Sequence, residues 1–190
     1  MIQVEDYLTQ LNLQSLTPKE QIKILARTIS EIPWGEARTV EDVLSLNCGT
    51  CHGKHLLLYA CLDILNIKYK PVMCTIKWIE QGINFPQNII DILNEGAWEH
   101  GHNFVTIELE NSFDLDLTWN SKLKSVGFKT LPADWEPGTS FVGANYIKRW
   151  DGADVNQMKK DLIDQLTPEV RERRERFLKN FITWINSINK

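Results

Sequence analysis

The strongest constraint on the fold comes from a nearly continuous apolar run, His55-Leu56-Leu57-Leu58-Tyr59-Ala60-Cys61-Leu62-Asp63-Ile64-Leu65. Its apolar residues recur at i, i+3, i+4 and i+7, which predicts an amphipathic helix buried in a core. Directly before it, Gly49-Thr50-Cys51 predicts a sharp entry turn, because glycine adopts backbone conformations that other residues avoid. We therefore expect Cys51 at the start of this helix, where free N–H groups can help to bind an oxyanion.

Two runs after residue 100 alternate apolar with polar residues and predict half-buried strands. They are His102–Leu109 and Phe113–Leu117. If both apolar sets face one core, the turn between the strands must contain an odd number of residues.

The register of these strands decides whether an imidazole and a carboxylate can meet. A three-residue turn centred on Glu110 would set Asp116 opposite Phe104 and diagonal to His102, at about 7 to 8 Å between backbone positions. A turn centred on Asn111 fits turn propensity better but would move Asp116 opposite Thr106, too far from His102 without a bulge. Contact between the two side chains therefore requires the first register.

Cys51, His102 and Asp116 together suggest a thiol nucleophile, its base and an orienting acid. A thiol attacks only as the thiolate, so its pKa must fall from an ordinary value of about 8.5. A helix N-terminus and a neighbouring imidazolium can both lower it. The alternative is that Cys51 is a small apolar residue at a helix start.

Three blocks of sequence resemble the transglutaminase-like superfamily of papain-type cysteine enzymes. They are Gly49-Thr50-Cys51 with Lys54 and the apolar helix, His102-Asn103-Phe104-Val105, and Asp116-Leu117-Thr118, and the resemblance covers roughly residues 33 to 119. It implies an α+β papain-like fold with the catalytic cysteine at the N-terminus of a buried helix packed on an antiparallel sheet. The family's blocks read G-x-C, H-x-aromatic and D-x-T, in this order.

The resemblance also implies a chemistry. Cys51 would attack an acyl carbon, His102 would take up and return the proton, and Asp116 would orient the imidazolium. The substrates would be peptides, proteins or small amides, with water or an amine as the second substrate, so the enzyme would be a cysteine protease, an amidase or a transglutaminase. This mechanism needs no metal and no organic cofactor.

Two residues depart from the family pattern, and four others are candidates for the site. His55 stands where the family usually has a small residue, and Leu117 replaces a common proline. The candidates rest on proximity in sequence: Asn47 and Trp34 as oxyanion donors, and Trp98 and Trp119 either as walls of a substrate groove or as core residues.

Other interpretations remain open for the same residues. Cys48-Gly49-Thr50-Cys51-His52 fits the C-x-x-C-H pattern of haem attachment. Cys48 and Cys51 could instead form a redox dithiol, or bind zinc together with His100 and His102. A binding protein that keeps the fold without catalysis is a further possibility.

Composition indicates an ordinary globular enzyme domain. With 190 residues, 43% hydrophobic and 24% charged, we expect one domain over residues 1–190. A net charge of -4 gives no reason to expect nucleic acid as a partner. No apolar run approaches 18 residues, so we expect no membrane span. The four clustered cysteines, with no signal-like leader at Met1–Asp6, favour buried thiols in the cytoplasm.

The remaining elements follow from local signals. Thr17-Pro18-Lys19-Glu20 predicts a capped helix that ends near Ile32. The other expected elements are a short helix in 36–47, a strand over 67–79, a short helix at 87–94, a strand within 122–135, and a helix from Thr167 to about Asn189 with 171–176 on a solvated face. The segment 80–101 either forms a wall of the active-site cleft or is a surface loop.

Overall fold

The computed structural model describes residues 3–189 and has an α+β architecture. The α-helices are α1 (Val4–Gln10), α2 (Pro18–Glu31), α3 (Val40–Leu46), α4 (Cys51–Ile64), α5 (Gln87–Asn94), α6 (Val155–Asp164) and α7 (Pro168–Asn189). The strands are β1 (Tyr69–Ile76), β2 (His100–Glu108), β3 (Ser112–Leu115) and β4 (Lys148–Asp151). Short 3-10 helices cover Trp78–Glu80 and Ser121–Val126.

The strands form one antiparallel sheet in the order β3-β2-β1-β4. Val105 lies opposite Leu115 and Glu108 lies opposite Ser112, so the connection is the three-residue turn centred on Glu110. This is the register that the contact between His102 and Asp116 requires. The β2–β3 ladder ends at the Val105–Leu115 pair, and the chain after Leu115 leaves the sheet beside His102.

Each face of the sheet carries its own buried cluster. On one face, Val105 and Ile107 pack with α2 and α4 in an aliphatic core. On the other, Phe104 belongs to an aromatic core that includes Phe177 and Phe181 from α7. Because side chains alternate along a strand, His102 shares the aromatic face with Phe104, and Asn103 faces the side of α4.

Side chains cap the helices that bring the site together. Thr17 and Glu20 form the predicted capping box at the start of α2. Thr50 caps α4 by accepting a hydrogen bond from the Gly53 N–H.

Gly49 is required here for a reason other than the predicted turn. Its φ is outside the left-handed region, but a Cβ there would lie 2.9 Å from Cγ of Lys54 and 3.0 Å from Cγ2 of Val43. Close packing, rather than an unusual backbone angle, therefore explains the glycine before Cys51.

The second half of the chain departs from several predictions. The strand expected within 122–135 is wrong, because that segment forms a 3-10 helix and irregular backbone. β4 and α6 were not predicted.

The helix at 87–94 is confirmed as α5, and it packs on α7. Of the segment 80–101, only Glu99, His100 and Gly101 line the cleft that Cys51 faces. In the charged run of α7, Arg173 is buried and donates to the Gly96 carbonyl.

Among residues 3–189, no helix combines the length and apolar character needed to span a membrane.

Lys54 is a fully buried cation that ties the end of α2 and the segment around Thr118 to α4. Its Nζ donates to the carbonyls of Ser30 and Ile32, both at 2.9 Å, and of Thr118 at 3.1 Å. Burial lowers the pKa of Lys54 to about 7. The three carbonyl acceptors nevertheless favour the charged form of Lys54. The ammonium group has three N–H donors, one for each carbonyl, whereas a neutral amine would leave one carbonyl without a partner.

We predict that Lys54→Met destabilises the fold strongly. The substitution keeps much of the volume but leaves three buried carbonyls without donors, at about 1 to 3 kcal/mol each, so the free energy of unfolding should fall by at least about 3 kcal/mol. Urea unfolding followed by circular dichroism measures this. The control Lys68→Met, at an exposed position, should stay within about 0.5 kcal/mol of wild type. Similar losses in both variants would contradict a structural role of the Lys54 contacts.

Candidate active site

Cys51 is the first residue of α4 and faces a cleft of about 650 Å³. Thr50 and His52 line the cleft on the same side, and Gly101 and Lys159 line it from β2 and α6. The first intrahelical hydrogen bond of α4 runs from the Lys54 N–H to the Thr50 carbonyl. The N–H groups of Cys51 and His52 precede it, and these are donors that a helix start leaves available.

His102 links Cys51 to Asp116. His102 Nε2 lies 2.7 Å from Asp116 Oδ2, and both side chains are buried. Since Nε2 is engaged by the carboxylate, Nδ1 is the ring nitrogen left to interact with Cys51, and the charges of His102 and Cys51 act on each other. The structure thus brings together the three residues singled out from the sequence.

Asp116 is held by more than the histidine. Its Oδ1 accepts from the backbone N–H of Thr118 at 3.0 Å and from the Thr118 hydroxyl at 2.6 Å. Its Oδ2 also accepts from the Gly143 N–H at 3.1 Å. Burial opposes ionisation, but the charge and hydrogen bond of His102, with the Thr118 hydrogen bond, hold the pKa of Asp116 well below its usual range.

The surroundings of Cys51 favour the thiolate. Lys159 Nζ lies 3.5 Å from Cys51 Sγ. Burial opposes ionisation of the thiol, but the charge of Lys159 and the hydrogen bond and charge of His102 outweigh it and lower the pKa of Cys51 to about 6. Burial likewise works against the imidazolium, yet Asp116 and Cys51 raise the pKa of His102 to about 10. A thiolate–imidazolium pair is therefore the stable form near neutral pH.

Lys159 is a residue of the candidate site that sequence reasoning missed. It lies on α6 and also donates to Oδ1 of Asn103, whose side chain is fully buried. Gly101 lets α6 approach the sheet, because a Cβ there would lie 3.3 Å from both Lys159 Cγ and Leu162 Cδ1. A glycine directly before a predicted strand was the available signal for a close approach.

His55 is a structural residue that positions the start of α4. Its Nδ1 donates to the Cys51 carbonyl at 2.7 Å, and its Nε2 accepts from the Leu117 N–H at 3.2 Å. Burial lowers the pKa of His55 to about 4. The ring is therefore neutral with both nitrogens satisfied, and it fixes Cys51 against the segment that carries Asp116.

The remaining site candidates lie in different surroundings. Trp34 lines the cleft and is joined to the loop before Cys51, since Gly35 N–H donates to the Gly49 carbonyl. Asn47 is exposed at the left-handed C-cap of α3 and does not line the cleft. Trp119 is buried with its ring parallel to that of His102, 6.4 Å between centroids. Trp98 packs in the aromatic core against Phe177.

The zinc interpretation of these residues finds no geometric support in the described part of the chain. Among residues 3–189, no group of three or more His, Cys, Asp or Glu converges as metal ligands would. His102, one of the expected zinc ligands, is engaged by Asp116. All four cysteines are free thiols, and burial raises the pKa of Cys61 to about 12 and that of Cys74 still further.

Comparison of the sequence with protein-family models and with curated proteins finds no match.

We predict that iodoacetamide labels Cys51 with a pH midpoint near 6, as its lowered pKa requires. Lys159→Gln and His102→Ala should both move the midpoint up toward the ordinary value of about 8.5. Mass spectrometry of each cysteine across pH measures this. The midpoint is the useful readout, because a thiolate of lower pKa is also intrinsically less nucleophilic and the rate at one pH changes less.

The control for this experiment is Lys68→Gln, which removes a positive charge from an exposed position. Its midpoint should equal that of wild type. Cysteines of the urea-unfolded protein provide the ordinary thiol. A wild-type midpoint near that of the unfolded chain would show that Cys51 is not activated.

Proposed function

We propose that this protein is a papain-like, transglutaminase-like cysteine enzyme that transfers acyl groups from amide substrates. The observation that carries the proposal is the chain of contacts from Lys159 and His102 to Cys51, with Asp116 2.7 Å behind the imidazole. A cysteine that only filled space would not need an ammonium group at 3.5 Å and an imidazole supported by a buried carboxylate.

In the first half-reaction, the Cys51 thiolate attacks the carbonyl carbon of the amide. A C–S bond forms and the carbonyl π electrons move to oxygen, giving a tetrahedral oxyanion. The Nδ1–H of the His102 imidazolium then protonates the departing nitrogen as the C–N bond breaks. The products of this step are an amine and a thioester on Cys51.

In the second half-reaction, neutral His102 removes a proton from water or from an acceptor amine. The new oxygen or nitrogen nucleophile attacks the thioester carbon, and the Cys51 thiolate leaves. His102 is again an imidazolium, so the ion pair is restored. Asp116 stays ionised throughout, because its pKa is held far below that of the imidazolium.

The oxyanion would develop next to the first turn of α4. The Cys51 N–H is the main donor in this proposal, because it belongs to the nucleophile itself and precedes the first intrahelical bond. Trp34 is the side chain placed to assist, since it lines the cleft and is fixed to the Gly49 loop. Asn47 is too exposed for this role.

The proposal is tested by trapping the thioester with hydroxylamine. Wild-type protein, given a panel of glutamine-containing peptides and peptide amides, should release amine and form hydroxamates, which are detected as coloured iron complexes. Cys51→Ala should lower the rate by at least about 10³-fold while the circular dichroism spectrum stays native. If Cys51→Ala formed hydroxamate as fast as wild type, or wild type formed none, the acyl-transfer function would be rejected.

We predict that Asp116→Asn lowers the hydroxamate-forming rate by about 10³- to 10⁴-fold, since it disturbs the tautomer and charge of His102. Loss of the carboxylate also removes what raises the histidine pKa to about 10, so the alkaline limb of the pH–rate profile should move to lower pH. The control is Asp114→Asn, two residues earlier on β3, whose carboxylate pairs with Arg149 away from Cys51. An unchanged alkaline limb in Asp116→Asn would contradict the assigned role.

A further inference from the structure

The cleft beside Cys51 is unusually cationic for a protein with a net charge of -4. Arg38, Lys159, Lys160 and Arg174 line it. Lys159 contacts Cys51, but within residues 3–189 none of the four forms a salt bridge with a carboxylate. Exposed cations without partners are ordinary, yet four around one concave surface focus the electrostatic potential there.

The carboxylates in the same cleft do not cancel this charge. Of the three that line it, Glu99 pairs with Lys148 at 2.8 Å, and Asp164 lies 4.0 Å from Arg171. Both partner cations are outside the residues that line the cleft. Glu36 is exposed at the rim, so the balance of unpaired charge in the cleft remains positive.

Arg38 and Arg174 both line this cleft, Arg38 as an exposed side chain and Arg174 as a half-buried one. Burial lowers the pKa of Arg174 and the charge of Arg38 lowers it further, against the charge of Glu175. A partly desolvated arginine is costly unless an anion joins it. Two planar guanidinium forks match the two oxygens of a carboxylate.

Two imidazoles on the same wall, those of His52 and His100, add no positive charge to it. The Nδ1 atoms of His52 and His100 are buried, and neither has a hydrogen-bond partner among the described residues. Burial, together with the charges of Lys159 and Arg38, lowers the pKa of both rings, so they are neutral at pH 7. The positive charge of the cleft therefore comes from its lysine and arginine side chains and not from these imidazoles.

The rest of the cleft wall is apolar, with Leu162 and Ile163 from α6 and Leu178 and Ile182 from α7. These side chains suit the methylene groups of a substrate rather than its charge. The combination favours a short apolar chain that ends in an anionic group.

We propose that the cleft binds amide substrates that carry a carboxylate, such as peptides with an acidic side chain or a free terminus near the reacting amide, and that Arg38 and Arg174 hold this carboxylate. This inference rests on the acyl-transfer function proposed above, because it names the substrate class of that same site. Arg38 and Arg174 are specificity residues in this assignment and take no part in the bond-making steps.

The test uses two alkylating probes that differ only in charge, N-iodoacetyl-β-alanine and its neutral carboxamide. Since the reacting group is the same, the ratio of their rates at Cys51 reports recognition of the carboxylate. At low salt we expect the carboxylate probe to label wild-type Cys51 about tenfold faster than the neutral probe, and salt should reduce the difference. Arg38→Gln and Arg174→Gln should each lower this ratio about threefold or more, and the neutral probe corrects for any change in the reactivity of the thiol itself.

Three controls make the outcomes distinct. Lys68→Gln removes a charge outside the cleft and should leave the ratio unchanged. In the urea-unfolded protein the probes should label at similar rates. Propionate should slow the carboxylate probe more than inorganic phosphate does at equal concentration, and the reverse order would overturn the carboxylate assignment in favour of phosphate.

Equal rates of the two probes in wild type, or a ratio that survives both arginine substitutions, would overturn this proposal. If the neutral probe still labelled Cys51 with a midpoint near pH 6, the activated thiol would stand and only the substrate class would be wrong. If neither probe labelled Cys51 differently from the unfolded chain, the acyl-transfer function itself would fail.

Discussion

The site depends on one buried carboxylate and the four donors that surround it. Asp116 is 1% exposed and accepts from His102, from the N–H and hydroxyl of Thr118, and from Gly143. A buried charge is tolerated only when it is paired and hydrogen-bonded, so these contacts must form together. They bring β2, the chain that leaves β3 and the segment before β4 to one point. Orientation of His102, and through it the state of Cys51, follows from this arrangement.

Each face of the sheet holds a different part of the site. The aliphatic face anchors α4, with His55 and Lys54 connecting its first turns to backbone groups of other segments. The aromatic face fixes the histidine, since the ring of Trp119 lies parallel to His102 and packs in turn on Phe128, 4.5 Å between centroids. Cys51 and His102 are therefore each held by a different core, and the two cores meet where the chain leaves β3.

The sequence predicted the parts of the fold that local periodicity controls. The helix of Cys51 and the strand of His102 follow from apolar spacing. The requirement that both strands turn their apolar side chains to one core limited the hairpin to turns with an odd number of residues. Whether the turn between β2 and β3 is centred on Glu110 or on Asn111 depends on tertiary contacts. The contact between His102 and Asp116 could therefore be predicted only on the condition that the turn is centred on Glu110. α6 was missed because it buries little beyond Val155 and gives a weak apolar signal. Lys159 belongs to no sequence motif, because the role of its ammonium group depends only on contacts with residues that are distant in sequence.

The position of Lys159 along the chain has a consequence for biosynthesis. It is separated from Cys51 by 108 residues and contacts it only after α6 has packed on the sheet. At roughly 5 to 20 residues per second, the ribosome needs on the order of 5 to 20 s to add that length. During this interval the thiol lacks its nearest cation. The full lowering of the Cys51 pKa therefore requires residues from the last fifth of the 190-residue chain to be folded in place.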